Sequence, residues 1–250
     1  MNPWISPEEA AAAIERGNGK GIRIAVLDSG VEINHPVFQG RSLRDDVAVE
    51  VDQADPFQPG SGVDLYGHGT AVSGIIWKLA PEAEIGSFRI LGPNLKARTA
   101  QVSLAANRAL ELGYNIVNCS FGCSILGHLP LYKAWIDRAE RLGVHVVAAS
   151  GNHDPDQPEW PAHFPSVLGV DVNHSTDKHL IRHEGCIVEF AAPGSECHVP
   201  WKDGGQRVMT GSSFAAPYLT GILSRLLSVY PLRDPLFVKA LLRRVATKAL

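Results

Sequence analysis

Three short segments of this chain carry side chains that could act together on a carbonyl carbon. IRIAVLDSG ends an apolar run in Asp28, just before a Ser-Gly turn, where a carboxylate can face a cleft at the carboxyl edge of a parallel sheet. YGHGTAVSGII sets His68 between two glycines at the entrance of a helical pattern, with Ala71, Val72, Ile75 and Ile76 as the apolar face behind it. Glycine on both sides lets backbone approach the ring closely, which suits a base that must touch both a carboxylate and a hydroxyl. MTGSSFAAPYLTGIL places Ser212 and Ser213 directly after Gly211 and at the start of a long apolar helix. A hydroxyl there lies near unpaired N–H groups and the positive end of the helix dipole, which favours developing negative charge. Nucleophile, base and orienting carboxylate are the parts of covalent acyl transfer. Taken singly, each has a commoner use as turn residue, structural histidine or helix cap.

Such groups need a rigid frame, and the pattern of the chain supplies one. Apolar runs at 22–27, 84–91, 115–120 and 144–150 alternate with stretches of helical period, namely the residues after His68, 99–112 and 132–142. This alternation predicts one α/β domain over residues 1–250, with a parallel sheet covered by helices on both faces. After Gly151 come a proline-rich loop, HDPDQPEWPAHFP, the short runs SVLGVDV and CIVEFAA, and two helices from about Ser212 to Tyr230 and Pro235 to Val245. EEAAAAIER near the start reads as a surface helix capped by Ser6. GNGKG at 17–21 precedes its strand, whereas a phosphate-binding glycine motif follows one, so it reads as a loop.

The 250 residues are 45% hydrophobic and 20% charged with a formal charge of -3, a balance that gives a nucleic-acid or anionic-membrane surface no support. No apolar stretch reaches the roughly 18 residues of a membrane span, and the first residues lack a basic start followed by an apolar run. The expected location is cytoplasmic. Cys119, Cys123, Cys186 and Cys197 match no zinc spacing and are expected to be reduced cysteines in or near the core. His174, His179 and His183 are expected to be solvated, and no metal or cofactor is expected.

Taken together and in the order Asp, His, Ser, the segments VLDSGV, GHGTAVSG and GSSFAAP resemble the three signature segments of the subtilisin-like serine peptidases, over about residues 21–230. The resemblance implies a three-layer αβα fold with a mostly parallel central sheet. It implies Asp28 as the group that orients the imidazole, His68 as general base and then acid, and Ser213 as nucleophile, with Ser212 standing where the family has threonine. VVAASGNHD resembles the segment whose Asn, here Asn152, donates its amide to the oxyanion. Ser120-Phe121-Gly122 corresponds to the edge that pairs with substrate backbone, and the opposing wall reads Leu91-Gly92-Pro93-Asn94-Leu95-Lys96 where the family is glycine-rich. EWPAHFPSVLGV resembles the segment beside the primary specificity pocket. Glu159 there either faces a basic substrate residue or points to solvent.

Two departures accompany the likeness. The family's calcium-binding insertion in the helix after the catalytic His is missing, since Ile76-Trp77-Lys78-Leu79 runs straight into APEAEIGSF; Asp45-Asp46 is a pair that could hold a cation weakly. The residues before Asp28 leave no room for a secretion signal or inhibitory pro-segment, so restraint is expected from a narrow cleft, a regulatory partner protein or a dedicated substrate. The expected function is a serine endopeptidase acting on a protein or peptide through an acyl-enzyme. Two alternatives keep the same groove: a non-hydrolytic peptide-binding module, and a ligase or cyclase that resolves the acyl group with an amine.

Overall fold

Strand β1 (Arg23–Asp28) is apolar along almost its whole length because both of its faces are covered. Ile24 and Val26 join one hydrophobic cluster, and Ala25 and Leu27 join another on the opposite side of the sheet. A strand buried on both faces belongs to a parallel sheet between two helical layers, and the computed structural model has that form. It describes residues 5–152, 157–174 and 180–248. On one side lie α1 (Pro7–Arg16), α2 (His68–Leu79), α5 (Ser212–Val229) and α6 (Pro235–Val245). On the other lie α3 (Thr99–Glu111) and α4 (Leu129–Leu142).

The remaining strands are β2 (Asp46–Val49), β3 (Phe57–Pro59), β4 (Glu84–Arg89), β5 (Ile116–Cys119), β6 (His145–Ala149), β7 (Leu168–Asn173), β8 (Ile181–Arg182), β9 (Phe190–Pro193), β10 (Cys197–Trp201), β11 (Gly205–Met209) and β12 (Thr247–Lys248). Ten of the strands form one sheet in the order β12-β8-β9-β7-β6-β5-β1-β4-β2-β3. Its pairings are parallel except β8 with β9 and β2 with β3. The chain places β4 on one flank of β1 and then β5 on the other, and at such a reversal the loops after adjacent strands diverge and leave a crevice. Strands β10 and β11 form a separate antiparallel hairpin.

Most element boundaries agree with the sequence pattern. Ser6 caps α1 in a reciprocal capping box with Glu9. Helix α4 begins at Leu129, earlier than the apolar period alone places it, because Pro130 is compatible with the first helical turn. The hairpin and the short strands toward the two edges of the sheet, β12 and β8 on one side and β2 and β3 on the other, were not legible in the sequence. The four cysteines are free. Cys119 is buried and Cys123 and Cys197 half-buried, but Cys186 is exposed and so departs from the expected near-core setting. His174 is exposed and accepts from or donates to Ser195 Oγ at 3.2 Å, while His179 lies outside the described residues. Asp45 and Asp46 face different partners, Asp45 accepting from Tyr114 Oη and Asp46 from the Gly62 N–H.

Candidate active site

Asp28 is the last residue of β1 and is 1% exposed. Its carboxylate meets His68 Nδ1 at 2.9 and 3.0 Å and accepts from the Ser29 N–H at 2.7 Å. His68 is the first residue of α2. The strand end and the helix start can approach this closely only because the residues beside His68 have no side chains. A Cβ on Gly69 would stand 2.0 Å from the Gly30 carbonyl oxygen, and one on Gly67 would stand 2.5 Å from Trp201 Nε1. Gly67 also has φ +112°, a conformation natural to glycine. Desolvation pulls the His68 pKa down, but the charge and hydrogen bond of Asp28, with the nearby charge of Asp64, outweigh it and hold the pKa above that of an ordinary imidazole. The Asp28 contact directs Nδ1 as donor and leaves Nε2 as the basic nitrogen.

Two buried residues here were not singled out in the sequence. Asp64 is 6% exposed and accepts hydrogen bonds from Ser29 Oγ, the Tyr66, Gly67 and Thr70 N–H groups and Thr70 Oγ1. Ser29 Oγ also accepts from the Gly69 N–H and lies 3.2 Å from Asp28 Oδ1. The available signal was an Asp just upstream of a helix that lacks a side-chain cap at Gly67.

The two serines at the start of α5 have different surroundings. Ser212 is fully buried; its Oγ gives its one proton to the Ser150 carbonyl at 2.7 Å and lies 3.0 Å from Asn152 Oδ1, which accepts from the Ser212 N–H at 2.9 Å. Ser213 is half-buried, and its Oγ donates to the Ser120 carbonyl at 3.1 Å. Among the described residues Ser213 makes no hydrogen bond to His68. Phe214 brings this helix start to the imidazole, the two rings lying 5.5 Å apart. Asn152 is exposed, and with its Oδ1 held by Ser212 its Nδ2 is the end available to donate outward.

Ser120 follows β5, and its carbonyl heads the segment Ser120-Phe121-Gly122. Cys123 then pairs with Trp160 in an isolated antiparallel bridge, which carries Glu159 to the same place. A Cβ on Gly122 would come within 2.2 Å of Glu159 Oε2, and one on Gly151 within 3.0 Å of Oε1. The half-buried carboxylate therefore sits between the two glycines. On the opposing wall, the Gly92 N–H donates to Lys96 O, the Leu95 N–H to Gly92 O and the Lys96 N–H to Asn94 Oδ1. That segment is a self-bonded turn.

Comparison with known proteins agrees with this geometry. The profile of the Subtilase family matches residues 19–250. The chain is 28% identical over 224 residues to thermitase of Thermoactinomyces vulgaris, an alignment covering 88% of this chain and 80% of that protein. It is 28% identical over 245 residues to subtilisin-like protease 4 of Arthroderma benhamiae, covering 93% of this chain but 58% of the fungal protein. The crystal structure of a cold-adapted subtilisin-like serine proteinase superposes with a TM-score of 0.75 at 28% identity, over 91% of this chain and 83% of that one. A parallel sheet that joins Asp28 to His68 and brings the start of α5 beside them has the subtilisin-like fold, and the chain belongs to the subtilase family of serine peptidases.

Proposed function

We propose that the chain cleaves peptide bonds through an acyl-enzyme on Ser213 and favours Lys or Arg on the amino side of the cut. The carrying observation is the division of labour between the serines. Ser212 is fixed by the Ser150 carbonyl and Asn152, whereas Ser213 makes one bond to a carbonyl at the edge of the substrate groove. Substrate backbone pairing with Ser120 competes for that carbonyl and releases Ser213 Oγ to bond His68 Nε2. Attack forms the Oγ–C bond and passes the hydroxyl proton to Nε2, while Asp28 stabilises the imidazolium. Asn152 Nδ2 and the Ser213 N–H, both near the positive end of α5, receive the oxyanion. Collapse breaks the C–N bond, and the leaving amine takes the proton from Nε2. Water repeats the sequence and releases the acid.

The Glu159 carboxylate supports the basic preference. It stands between Gly122 and Gly151 with no hydrogen bond or ion pair among the described residues, a setting in which a substrate cation supplies the missing partner. Four free cysteines support a reducing compartment as the working environment.

Ser213→Ala and Ser212→Ala test the reading with a fluorophosphonate and a basic peptide. Ser213→Ala is expected to lose labelling and about 10⁶-fold in turnover, a magnitude carried over from subtilisin. Ser212→Ala keeps stoichiometric labelling. Mass spectrometry of the products separates hydrolysis from amine transfer. Labelling that persists in Ser213→Ala overturns the assignment.

A further inference from the structure

We propose that Asp64 is a positioning residue for the catalytic base, its carboxylate fastening the first turn of α2 and Ser29 together so that the His68 ring is held against Asp28. The inference rests on the triad reading above and concerns the group that keeps the triad in place.

A carboxylate as buried as Asp64 is costly unless it is fully hydrogen-bonded. Here five donors surround it: Oδ1 receives Ser29 Oγ at 2.7 Å, the Tyr66 N–H at 2.9 Å and the Gly67 N–H at 2.7 Å, and Oδ2 receives the Thr70 N–H at 2.8 Å and Thr70 Oγ1 at 2.6 Å. Charge-assisted bonds of this length are strong and directional. Three of the donors are backbone N–H groups of residues 66, 67 and 70, around the start of α2, where Gly67 offers no side-chain cap. Asp64 thus caps the helix from upstream, and the helix dipole favours its negative charge.

Consequences for catalysis follow from where His68 stands. It is the first residue of that helix, so the turn fastened by Asp64 sets its Cα. The same carboxylate reaches the residue after β1 through the Ser29 hydroxyl, and the loop that follows through the Thr70 hydroxyl. Ser29 has one proton, and the shorter contact gives it to Asp64, while its oxygen accepts from Gly69 and lies 3.2 Å from Asp28 Oδ1. Thr70 Oγ1 accepts from the Glu32 N–H at 3.0 Å. Both ends of the Asp28–His68 contact are therefore referred to one buried anion. A displacement of about 1 Å at a reacting group can cost on the order of 100-fold in rate.

The charge of Asp64 also acts on the ring. The charged groups that raise the His68 pKa are Asp28 from β1 and Asp64 from the loop before α2. Helix α5 presents uncharged Ser213 and Phe214, and the hairpin packs Trp201 on Gly67 with Arg207 over the indole. Removing the Asp64 charge makes the imidazolium less stable, so the acid limb of the rate profile moves to lower pH.

The test uses the full chain, measuring kcat and KM on a chromogenic peptide and the rate of Ser213 labelling by a fluorophosphonate between about pH 5 and 9. Asp64→Asn is expected to lower kcat by roughly 10- to 100-fold with KM unchanged and to shift the acid limb downward in both assays. Wild-type kcat, or a limb that stays in place or moves up, overturns the proposal. If Asp64→Asn does not fold, Ser29→Ala carries the test, because it removes the link and keeps both charges. There kcat is expected to fall about 10-fold with the limb in place, and wild-type kcat overturns the proposal. Ser213→Ala separates the two readings: turnover persisting in it defeats the triad itself, whereas a dead Ser213→Ala beside a wild-type-like Asp64→Asn defeats only the role of Asp64.

Discussion

Adjacent serines on one helix turn are chemically identical, and their neighbours make them different. Burial, the hydroxyl bond to the Ser150 carbonyl and the N–H bond to Asn152 Oδ1 hold Ser212 in place, whereas Ser213 has one exchangeable contact to Ser120. The same reasoning applies to Glu159, whose half-buried carboxylate lies against Gly122 and Gly151. Half-burial weakens its attraction for a cation relative to a fully desolvated pair. Glu159→Gln is therefore expected to reduce the kcat/KM ratio of Lys or Arg substrates over large apolar ones by on the order of 10- to 100-fold. A library of peptides varied only at the residue before the cut measures that ratio, and an unchanged preference removes Glu159 from the pocket's chemistry.

At the scale of elements, the site exists because the end of β1 and the start of α2 meet with no Cβ between them. Gly69→Ala would drive a methyl group to 2.0 Å from the Gly30 carbonyl and 3.1 Å from Asp28 Cβ. The Gly30 backbone on one side and the Asp28 side chain on the other cannot both remain in place. The expected result is a loss of about 1–3 kcal/mol in stability together with a lower kcat, read from denaturant midpoints and turnover of the soluble variant. Unchanged turnover would mean that strand and helix separate without disturbing the Asp28–His68 bond.

Across the whole molecule, stability should depend on pH through a histidine remote from the triad. His145 opens β6, is 1% exposed and bonds the Leu232 carbonyl through Nε2 at 2.9 Å, while its Nδ1 has no partner among the described residues. Desolvation lowers its pKa more than the Leu232 carbonyl and the Asp234 charge raise it. A folded pKa below the unfolded one means that the unfolded chain binds more protons in the window between them. The stability from His145 is thus present above the ordinary imidazole pKa of about 6.5 and is lost as pH falls through the folded value. His68, with its raised pKa, has the opposite sign: its contribution is complete below about 6.5 and is lost as pH rises through the folded value. Urea midpoints followed from about pH 8 to 5 should fall less steeply in His145→Gln than in the parent. Equal slopes would assign the acid sensitivity elsewhere.

The places of Asp28, His68 and Ser213 at a strand end and two helix starts were legible because apolar periodicity marks such boundaries, and local chain chemistry determines them. The alternation of elements likewise specified a parallel sheet with two helical layers, since a strand apolar on both faces has few other solutions. The network of Asp64 and Ser29 was not legible, because it depends on groups just after β1 and around the start of α2 that meet only in the fold. The hairpin behind Gly67 was hidden for a similar reason: its stability comes from Trp201 packing on Tyr66 and Gly67, contacts between distant parts of the chain. Residue types and local period by themselves determined the kind of chemistry and the layers that carry it. How Ser212 and Ser213 are bonded, what the Glu159 carboxylate lies against and which donors meet Asp64 appeared only in the tertiary structure, because each depends on groups apart in sequence that meet in the fold.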